Sequence, residues 1–435
     1  MTAPGPDPAP EPEPEPDEIE PDEIDLLDEE LVRAPFAVYS RLRERRSLHR
    51  AVMPGLGAVW IVTRHDDVRA VLSDPRLVND VVNVPGADVP NMSELAAQAG
   101  GVPDEYIKYV YPTVVDIDGA AHARLRRLVA PAFTARRVER LRPRVEEIAA
   151  RLLDRLPEAA EDGVVDLIPH FARPLPITVI CELVGIPEAD RGRWVRWSGA
   201  LAAGTEPLGE AVRGMVEDTR RLIGRRRARP ADDLLSTLIR AQETGGGDRL
   251  DDTELINLVL SLVVAGHETT AGMIAEGVAA LLSHPGQLDL LRRDPPATLP
   301  RAVHEVMRWR PPVLLTRVRY VRADLEIGGQ RVARGERVMP ILAAAGHDPR
   351  SFPAPEHFDI TRAANRRETH VSFGYGPHYC MGAALARQEG EVAFGALLRR
   401  FPGLTLAAAP EDLERSRADG ATPGTWRLGA LPVRL

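Results

Sequence analysis

Apolar residues recur at three- and four-residue spacing over most of the chain from about Ser40 onward, which is the period of an amphipathic helix. Residues 139–156, ERLRPRVEEIAARLLDRL, show this pattern most clearly. Strand-like runs are short and lie at residues 57–63 and 325–342, the second with Gly-Gly and Arg-Gly turn signals. No internal repeat is visible. The pattern predicts a mainly α fold with small β-sheets, in one domain.

The first residues break this pattern. In residues 1–24 proline alternates with acidic residues, which predicts a disordered tail followed by a folded domain at 25–435. The tail contains no apolar stretch that could serve as a signal peptide or anchor. The longest apolar run elsewhere, LINLVLSLVVAG from Leu255, is too short to span a bilayer. We therefore expect no membrane association.

Charge and cysteine content narrow the class further. The net charge is -9, but 13 of the 64 acidic residues lie in the first 30 positions, where no basic residue occurs, so the remainder has 51 acidic against 55 basic residues. The arginines show no clustering with interleaved aromatic residues, which argues against nucleic-acid binding. Cys181 and Cys380 are too few for a disulfide framework, so we expect a reducing compartment, the cytoplasm.

Cys380 lies in a glycine-rich loop, FGYGPHYCMG, that runs into an alanine-rich segment. Gly374, Gly376 and Gly382 allow positive φ and close backbone approach, so successive N–H groups can converge on one point. Such donors stabilise a thiolate, whereas a small core cysteine needs none of them. The loop therefore favours a functional cysteine.

A cysteine in such a loop could ligate either of two kinds of metal centre. His378 and Cys380 could ligate zinc together, but structural zinc needs four ligands, and Cys181 is about 200 residues away in an apolar segment. A single thiolate beside a flat apolar side chain such as Phe373 suits haem iron instead.

The loop resembles the haem-binding signature of the cytochromes P450, Phe-Gly-x-Gly-x-His-x-Cys-x-Gly, and matches every fixed position. The resemblance implies a single-domain P450 fold, a triangular helical prism with haem b between a long distal helix and the helix after the cysteine loop. It makes Cys380 the axial ligand of the haem iron, places Phe373 beside the sulfur, and makes His378 a partner of a haem propionate. Gly374 and Gly382 complete this haem-binding loop.

A second motif is AGHETTAG, residues 265–272, which follows the long apolar run. Ala265 and Gly266 leave room for a ligand beside the backbone, and an acid next to a hydroxyl inside a buried helix can relay protons. In isolation such a pair lies more often on a solvated helix face. Together with the cysteine loop it resembles the family's oxygen-activation motif, in which Glu268 is the acid and Thr269 the alcohol.

A third motif is HEVMRWRPP, in which Glu305 and Arg308 are three residues apart and share a helix face. An ordinary surface ion pair of this kind contributes less than about 1 kcal/mol. The resemblance places the pair in the core instead, locked to Arg362, with a structural role.

A fourth motif is HARLRR, in which His122 and Arg126 are four residues apart and can clamp a carboxylate. By resemblance they bind a haem propionate, as does Arg319, although Arg317 is an alternative for that role.

The family implies a haem-thiolate monooxygenase that uses O2 and receives electrons from a ferredoxin and its reductase, since the chain shows no flavin or iron–sulfur motif. The intact acid–alcohol pair argues against a peroxide-driven enzyme. We expect hydroxylation or epoxidation of a sizeable apolar natural product such as a macrolide or polyketide. The expected pocket residues are Val264, Val313, Leu314, Thr316 and Thr422.

Two other functions stay open from the sequence. A P450 can couple radicals, joining aromatic rings or cyclodipeptides without inserting oxygen, and the Glu-Thr pair is compatible with that reaction. A non-catalytic haem protein that senses or carries a ligand is the remaining alternative.

Overall fold

The computed structural model describes residues 23–53, 57–86, 91–203, 208–244, 249–362, 368–416 and 426–435. The helices are α1 (Glu29–Arg33), α2 (Pro35–Arg45), α3 (His65–Ser73), α4 (Met92–Ala99), α5 (Asp104–Ile107), α6 (Gly119–Val129), α7 (Ala135–Ala159), α8 (Pro174–Val184), α9 (Glu188–Ala203), α10 (Leu208–Ala228), α11 (Leu234–Thr244), α12 (Asp252–Ser283), α13 (Pro285–Arg293), α14 (Pro295–Trp309), α15 (Leu342–Gly346) and α16 (Ala383–Arg400). The strands are β1 (Ile24–Asp25), β2 (Leu48–Met53), β3 (Gly57–Val62), β4 (Leu77–Val78), β5 (Val164–Asp166), β6 (Arg319–Val321), β7 (Leu325–Ile327), β8 (Gln330–Val332), β9 (Arg337–Pro340), β10 (Thr405–Leu406), β11 (Arg415–Ser416), β12 (Arg427–Leu428) and β13 (Pro432–Arg434).

The elements follow the hydrophobic pattern. The helical segment predicted at residues 139–156 lies inside α7, and the two strand-like runs form β3 and the series β7 to β9. The prediction of a mainly α fold with small sheets is confirmed. Residues 1–22 of the predicted tail lie outside the described residues, whereas Ile24 forms part of β1 and pairs with Ala51.

The largest sheet has the strand order β1-β2-β3-β9-β6-β4. β2 and β3 form an antiparallel pair, and β3 runs parallel to β9, with Trp60 opposite Val338. Alternate residues of β3, such as Val59 and Ile61, are fully buried because one face of the sheet packs on the core. β6 belongs to this sheet and begins with Arg319, so the sheet fixes the position of that residue.

α12 is the central helix of the core. Its first turn is fixed by a capping box, in which the side chains of Asp251 and Glu254 accept each other's backbone N–H groups. It packs against α8, α9 and α16. Among the described helices, α12 alone is long and apolar enough to cross a membrane, with a mean hydropathy of 1.5, but 67% of that stretch is buried inside the fold. Its apolar character is therefore used in core packing.

Candidate active site

A cavity of about 610 Å³ lies between α12 and the loop that precedes α16. Residues from α6, α10, α12 and the cysteine loop form its wall, which is mostly apolar. A cavity of this size inside a helical core is large enough for a cofactor and part of a ligand.

The cysteine loop is closed by a backbone hydrogen bond, since Cys380 N–H donates to the Phe373 carbonyl oxygen over 2.8 Å. Gly374 and Gly376 have φ values of 77° and 74°, a backbone conformation that L side chains rarely adopt. The backbone N–H of Gly382 lies near the Cys380 sulfur and lowers the pKa of its thiol. The glycines of the motif therefore shape the loop and bring an N–H group to the sulfur, as the sequence predicted.

The Cys380 side chain is exposed, because it opens onto the cavity. Burial raises the pKa of its thiol, and the Gly382 N–H group and the Arg126 charge oppose that rise. A metal bound to the sulfur would replace the proton, because the thiolate is the ligand form.

Arginine and histidine side chains lie together along one side of this cavity. His122 and Arg126 project from α6 into it, and the rings of His122 and His378 lie 4.0 Å apart between centroids. Arg126 also donates to the Tyr379 carbonyl oxygen over 2.8 Å. Burial lowers the pKa of His122 to about 4. An anionic group at this position would meet several donors at once.

The structure distinguishes the two arginines proposed for the remaining propionate contact. Arg319 is 5% exposed, and its Nε has no hydrogen-bond partner among the described residues. Burial lowers the pKa of its guanidinium to about 10. Arg317 is half exposed and already paired with Asp116 and Ser93. A buried guanidinium with an unmade hydrogen bond is costly unless a ligand completes it, so Arg319 is the better anion donor of the two.

The residues present fit a haem group. The cavity holds a sulfur on one side and small helix residues on the other. Arg317 lines the cavity and Arg319 does not, but the buried Nε of Arg319 has no hydrogen-bond partner among the described residues. A flat apolar macrocycle with two carboxylates needs an apolar slot with cationic donors at one edge. The fold and this donor set define the class of haem-thiolate proteins.

The α12 motif faces the cavity in part. Ala265, Gly266 and Thr269 line it, and the Thr269 hydroxyl donates to the Ala265 carbonyl oxygen over 2.8 Å. A Cβ at Gly266 would lie 3.0 Å from Ile180, so a larger residue would press on α8. The small residues thus allow close helix packing as well as room beside the backbone.

Glu268 points away from the cavity. Its carboxylate lies 2.5 Å from Arg427 Nη1 and 3.1 Å from His267 Nε2. Burial would raise the pKa of this carboxyl, but the His267 hydrogen bond and the charges of Arg427 and Arg173 outweigh it and hold the pKa at about 2. Glu268 is therefore ionised, and its side chain must turn before it can reach the cavity.

The predicted pocket residues divide into two groups. Val264, Val313 and Thr316 line the cavity, together with residues such as Tyr109 and Val212. Leu314 does not line it, because its side chain packs in a separate core cluster of the sheet region with residues such as Met339. Thr422 lies outside the described residues.

The Glu305–Arg308 pair is fully buried, with distances of 2.8 and 2.7 Å in a bidentate arrangement. Arg362 Nε lies 3.2 Å from Glu305 Oε1. Arg308 also donates to three backbone carbonyl oxygens in the chain segment 346–357. The triad therefore joins α14 to the segment before the cysteine loop, and it lies outside the cavity wall.

Three residues of this region were not predicted as site residues from the sequence. Arg427 reaches Glu268 from β12, which is distant in the chain. His267 was read only as a motif neighbour, and Glu389 lines the cavity from α16 although it follows the motif by several residues. A charged residue in an apolar helix, such as Glu389 in AALARQEGEVAFGALL, is the signal that could have found the last of these.

Comparisons with known proteins agree with this class. A family model described as Cytochrome P450 matches residues 297–416. Cytochrome P450 107B1 of Saccharopolyspora erythraea is 43% identical over 91% of this chain and 94% of that protein. The 6-deoxyerythronolide B hydroxylase of the same organism is 42% identical over 92% of this chain and 96% of its own length.

A solved structure gives the same result. The cytochrome P450 PksS of the Bacillus subtilis bacillaene polyketide synthase superposes with a TM-score of 0.82 at 36% identity, covering 94% of this chain and 98% of that one. The chain belongs to the cytochrome P450 family. It is a haem-thiolate monooxygenase with haem b as its cofactor, and the resemblance seen in the sequence is confirmed.

Proposed function

We propose that this protein hydroxylates or epoxidises a sizeable apolar natural product of the macrolide or polyketide type. The observation that supports this most is the mostly apolar cavity bounded by Cys380 and Thr269, which leaves a wall of apolar side chains around the place where a substrate would lie. The hydroxylase that acts on 6-deoxyerythronolide B, by its name, and the P450 of the polyketide synthase are similar over nearly their whole length.

In this proposal the Cys380 sulfur would hold the haem iron. Phe373 packs beside the sulfur, and the propionates are held by His122, Arg126, Arg319 and His378. When bound, the haem supplies O2 activation and transfer of one oxygen atom to a substrate carbon. The Gly382 N–H group tempers the sulfur's electron density, because a hydrogen bond to a thiolate withdraws charge from it.

Thr269 and Glu268 handle protons. The Thr269 hydroxyl lies at the cavity wall, and rotation away from the Ala265 carbonyl would let it donate into the cavity. Glu268 would supply the proton after it leaves Arg427 and His267. Because the Glu268 carboxyl is ionised while it is paired, it must first take up a proton in its turned position, where it has lost the stabilising charges.

Electrons reach this site, in the proposal, from a ferredoxin and its reductase in the cytoplasm. Arg127 on α6 and Arg136 in the first turn of α7 are exposed, and α6 contacts the cysteine loop through Arg126. An acidic electron carrier would be attracted to such a surface. A salt-dependent rate of reduction would support that contact.

A titration of the ferric protein with a panel of macrolides and linear polyketides tests the proposal. Displacement of water from the iron would shift the Soret band, and a saturable shift would give the substrate class for turnover assays. A protein that binds haem but responds to no member of the panel would contradict the assignment to this substrate type.

Replacement of Thr269 separates an oxygenase from a ligand sensor. Thr269→Ala should release more of the consumed electrons as peroxide and form less product, while Thr269→Ser, which keeps the hydroxyl, should retain most of the coupling. Equal ligand response and equal electron use in all three proteins would favour a sensor.

A further inference from the structure

Lys108, Tyr109 and Arg220 form a cationic cluster beside the cavity, here called the rim, and Tyr109 is its member that lines the cavity wall. Tyr109 lines the cavity and is buried, and its hydroxyl accepts a hydrogen bond from Arg220 Nη2 at 2.5 Å. The Arg220 guanidinium carbon lies 5.1 Å from the Tyr109 ring centre, and Lys108 Nζ lies 5.2 Å from it. Lys108 and Arg220 are themselves exposed. One aromatic ring thus separates the apolar interior from two cations at the surface.

The two charges at this rim are not neutralised within the described part of the chain. Neither Lys108 nor Arg220 has a carboxylate within ion-pair distance there, whereas other arginines of α10 are paired: Arg221 with Asp218, Arg226 with Asp233 and Arg227 with Asp252. Arg220 instead uses one nitrogen on the neutral Tyr109 hydroxyl. The Arg220 side chain is exposed, and its other nitrogens have no partner among the described residues, so they can bind an external anion.

The chemistry of the rim matches one end of an amphiphile. Carboxylates and phosphates accept paired hydrogen bonds from a guanidinium, and an ammonium group adds a point charge. The Tyr109 hydroxyl accepts from Arg220 and keeps its own proton to donate. An apolar chain that lies in the cavity would bring such a head group to this place without burying its charge.

We propose that Lys108, Tyr109 and Arg220 form an anion subsite that binds the carboxylate or phosphate end of a substrate whose apolar part fills the cavity. This rests on the proposed function, because it uses the same cavity, and it narrows the substrate class to anionic amphiphiles. The anion could be the carboxylate of a free acid or the phosphate of a carrier-linked chain, and the two have the same head-group chemistry for this rim.

Binding measurements on the haem-loaded protein test the subsite with three probes of equal chain length. Tetradecanoic acid represents the free acid, tetradecyl phosphate represents the phosphate, and 1-tetradecanol is the neutral control. Calorimetry gives affinity independently of the Soret shift. We expect the anionic probes to bind roughly tenfold more tightly than the alcohol at low salt, and the difference to shrink at high salt.

Variants of the three rim residues test whether these residues cause the anion preference. Lys108→Gln combined with Arg220→Gln should remove the anion preference and leave alcohol binding within about twofold. Arg225→Gln is the matched control, because it removes an exposed arginine from the same helix. Tyr109→Phe keeps the ring and should weaken anion binding by only about threefold, since it removes a single hydrogen bond.

The results distinguish the two sources of the anion, and they distinguish failure of the subsite from failure of the proposed function. Preference for the acid alone indicates a free carboxylate substrate, and preference for the phosphate alone indicates a carrier-linked one. Equal binding of acid, phosphate and alcohol to the unaltered protein overturns the subsite, as does an anion preference that survives the double substitution. In either case a Soret shift with the alcohol leaves the proposed oxygenase function intact.

Discussion

Glu268 and Glu389 are two buried carboxyls on helices that pack against each other, yet their surroundings are opposite. Glu268 on α12 lies against His267 and Arg427. Glu389 on α16 is 1% exposed, and its Oε2 has no partner among the described residues. The pKa of Glu268 is held at about 2, although burial alone would raise it, whereas burial raises the pKa of Glu389 well above its ordinary value.

The difference shows that partners, and not burial, decide the charge of an acid in this core. Burial acts in the same direction on both carboxyls. Only Glu268 has cations close enough to reverse its effect, so one acid is ionised and paired while the other is neutral. α12 therefore carries the ionised Glu268 in a network of charged residues, whereas α16, on the cysteine side of the cavity, carries Glu389 as an uncharged acid.

The largest effect should come from the cysteine side. Cys380→Ser should abolish monooxygenase activity, because an alcohol is a much poorer iron ligand than a thiolate. The ferrous CO complex should lose its thiolate signature or the protein should lose haem. Cys181→Ser is the matched control: Cys181 is buried in α8 and is not among the residues that line the cavity, so that variant should keep the spectrum. A normal thiolate spectrum in Cys380→Ser would contradict the ligand assignment.

Removal of the paired acid should cost stability. Glu268→Met leaves His267 and Arg427 facing an apolar side chain, and loss of one partner from a buried ion pair costs about 3–5 kcal/mol. Because the folded pKa of Glu268 is depressed, its contribution is present above the unfolded pKa near 4.3 and is lost as pH falls toward about 2. Thermal unfolding at pH 7 and near pH 3 measures both effects.

An exposed glutamate gives the baseline for that measurement. Glu146→Met changes the same side chain on the solvent face of α7 and should alter stability by less than about 0.5 kcal/mol at both pH values. If Glu268→Met behaves like Glu146→Met, the network around Glu268 does not stabilise the fold.

The sequence predicts the secondary-structure elements and the type of chemistry at the site better than it predicts the surroundings of each site residue. The helical period placed α7, and the glycine spacing around Cys380 predicted a loop whose positive φ values the structure contains. Local signals of this kind depend on neighbouring residues only. The motif that contains Thr269 is likewise recognised from neighbouring residues, and Thr269 lines the cavity wall.

Long-range contacts explain what the sequence did not predict. Arg427 follows Glu268 by about 160 residues, and no local pattern connects β12 with α12. Leu314 was expected in the pocket because its neighbours are there, but the chain turns so that its side chain enters the sheet core. Arg319 Nε and Glu389 Oε2 have no hydrogen-bond partner among the described residues, and this likewise depends on packing in three dimensions.

The acid–alcohol pair should have the next largest effect. Glu268→Gln keeps the shape of the side chain and removes the proton donor, so product formation should fall roughly 100-fold, as expected for a general acid. The solvent isotope effect should change with it, because proton delivery becomes slower. Glu268→Asp restores a carboxylate and should recover part of the rate. Unchanged product formation in Glu268→Gln would remove this residue from the proton path.

The smallest effect should have the opposite sign to that of Glu268→Met. Glu389→Met removes a buried carboxyl with an unmade hydrogen bond and retains its approximate volume, so it should stabilise the protein by about 1–3 kcal/mol at neutral pH. Since the folded pKa of Glu389 is raised, its stability contribution is fully present below the unfolded pKa near 4.3 and is lost as pH rises, because only the unfolded chain can ionise it readily. The gain in apparent Tm from the substitution should therefore be larger at pH 8 than at pH 5. A loss of stability that is the same at both pH values would show that Glu389 has a partner that it needs, and the contrast between the two carboxyls would then fail.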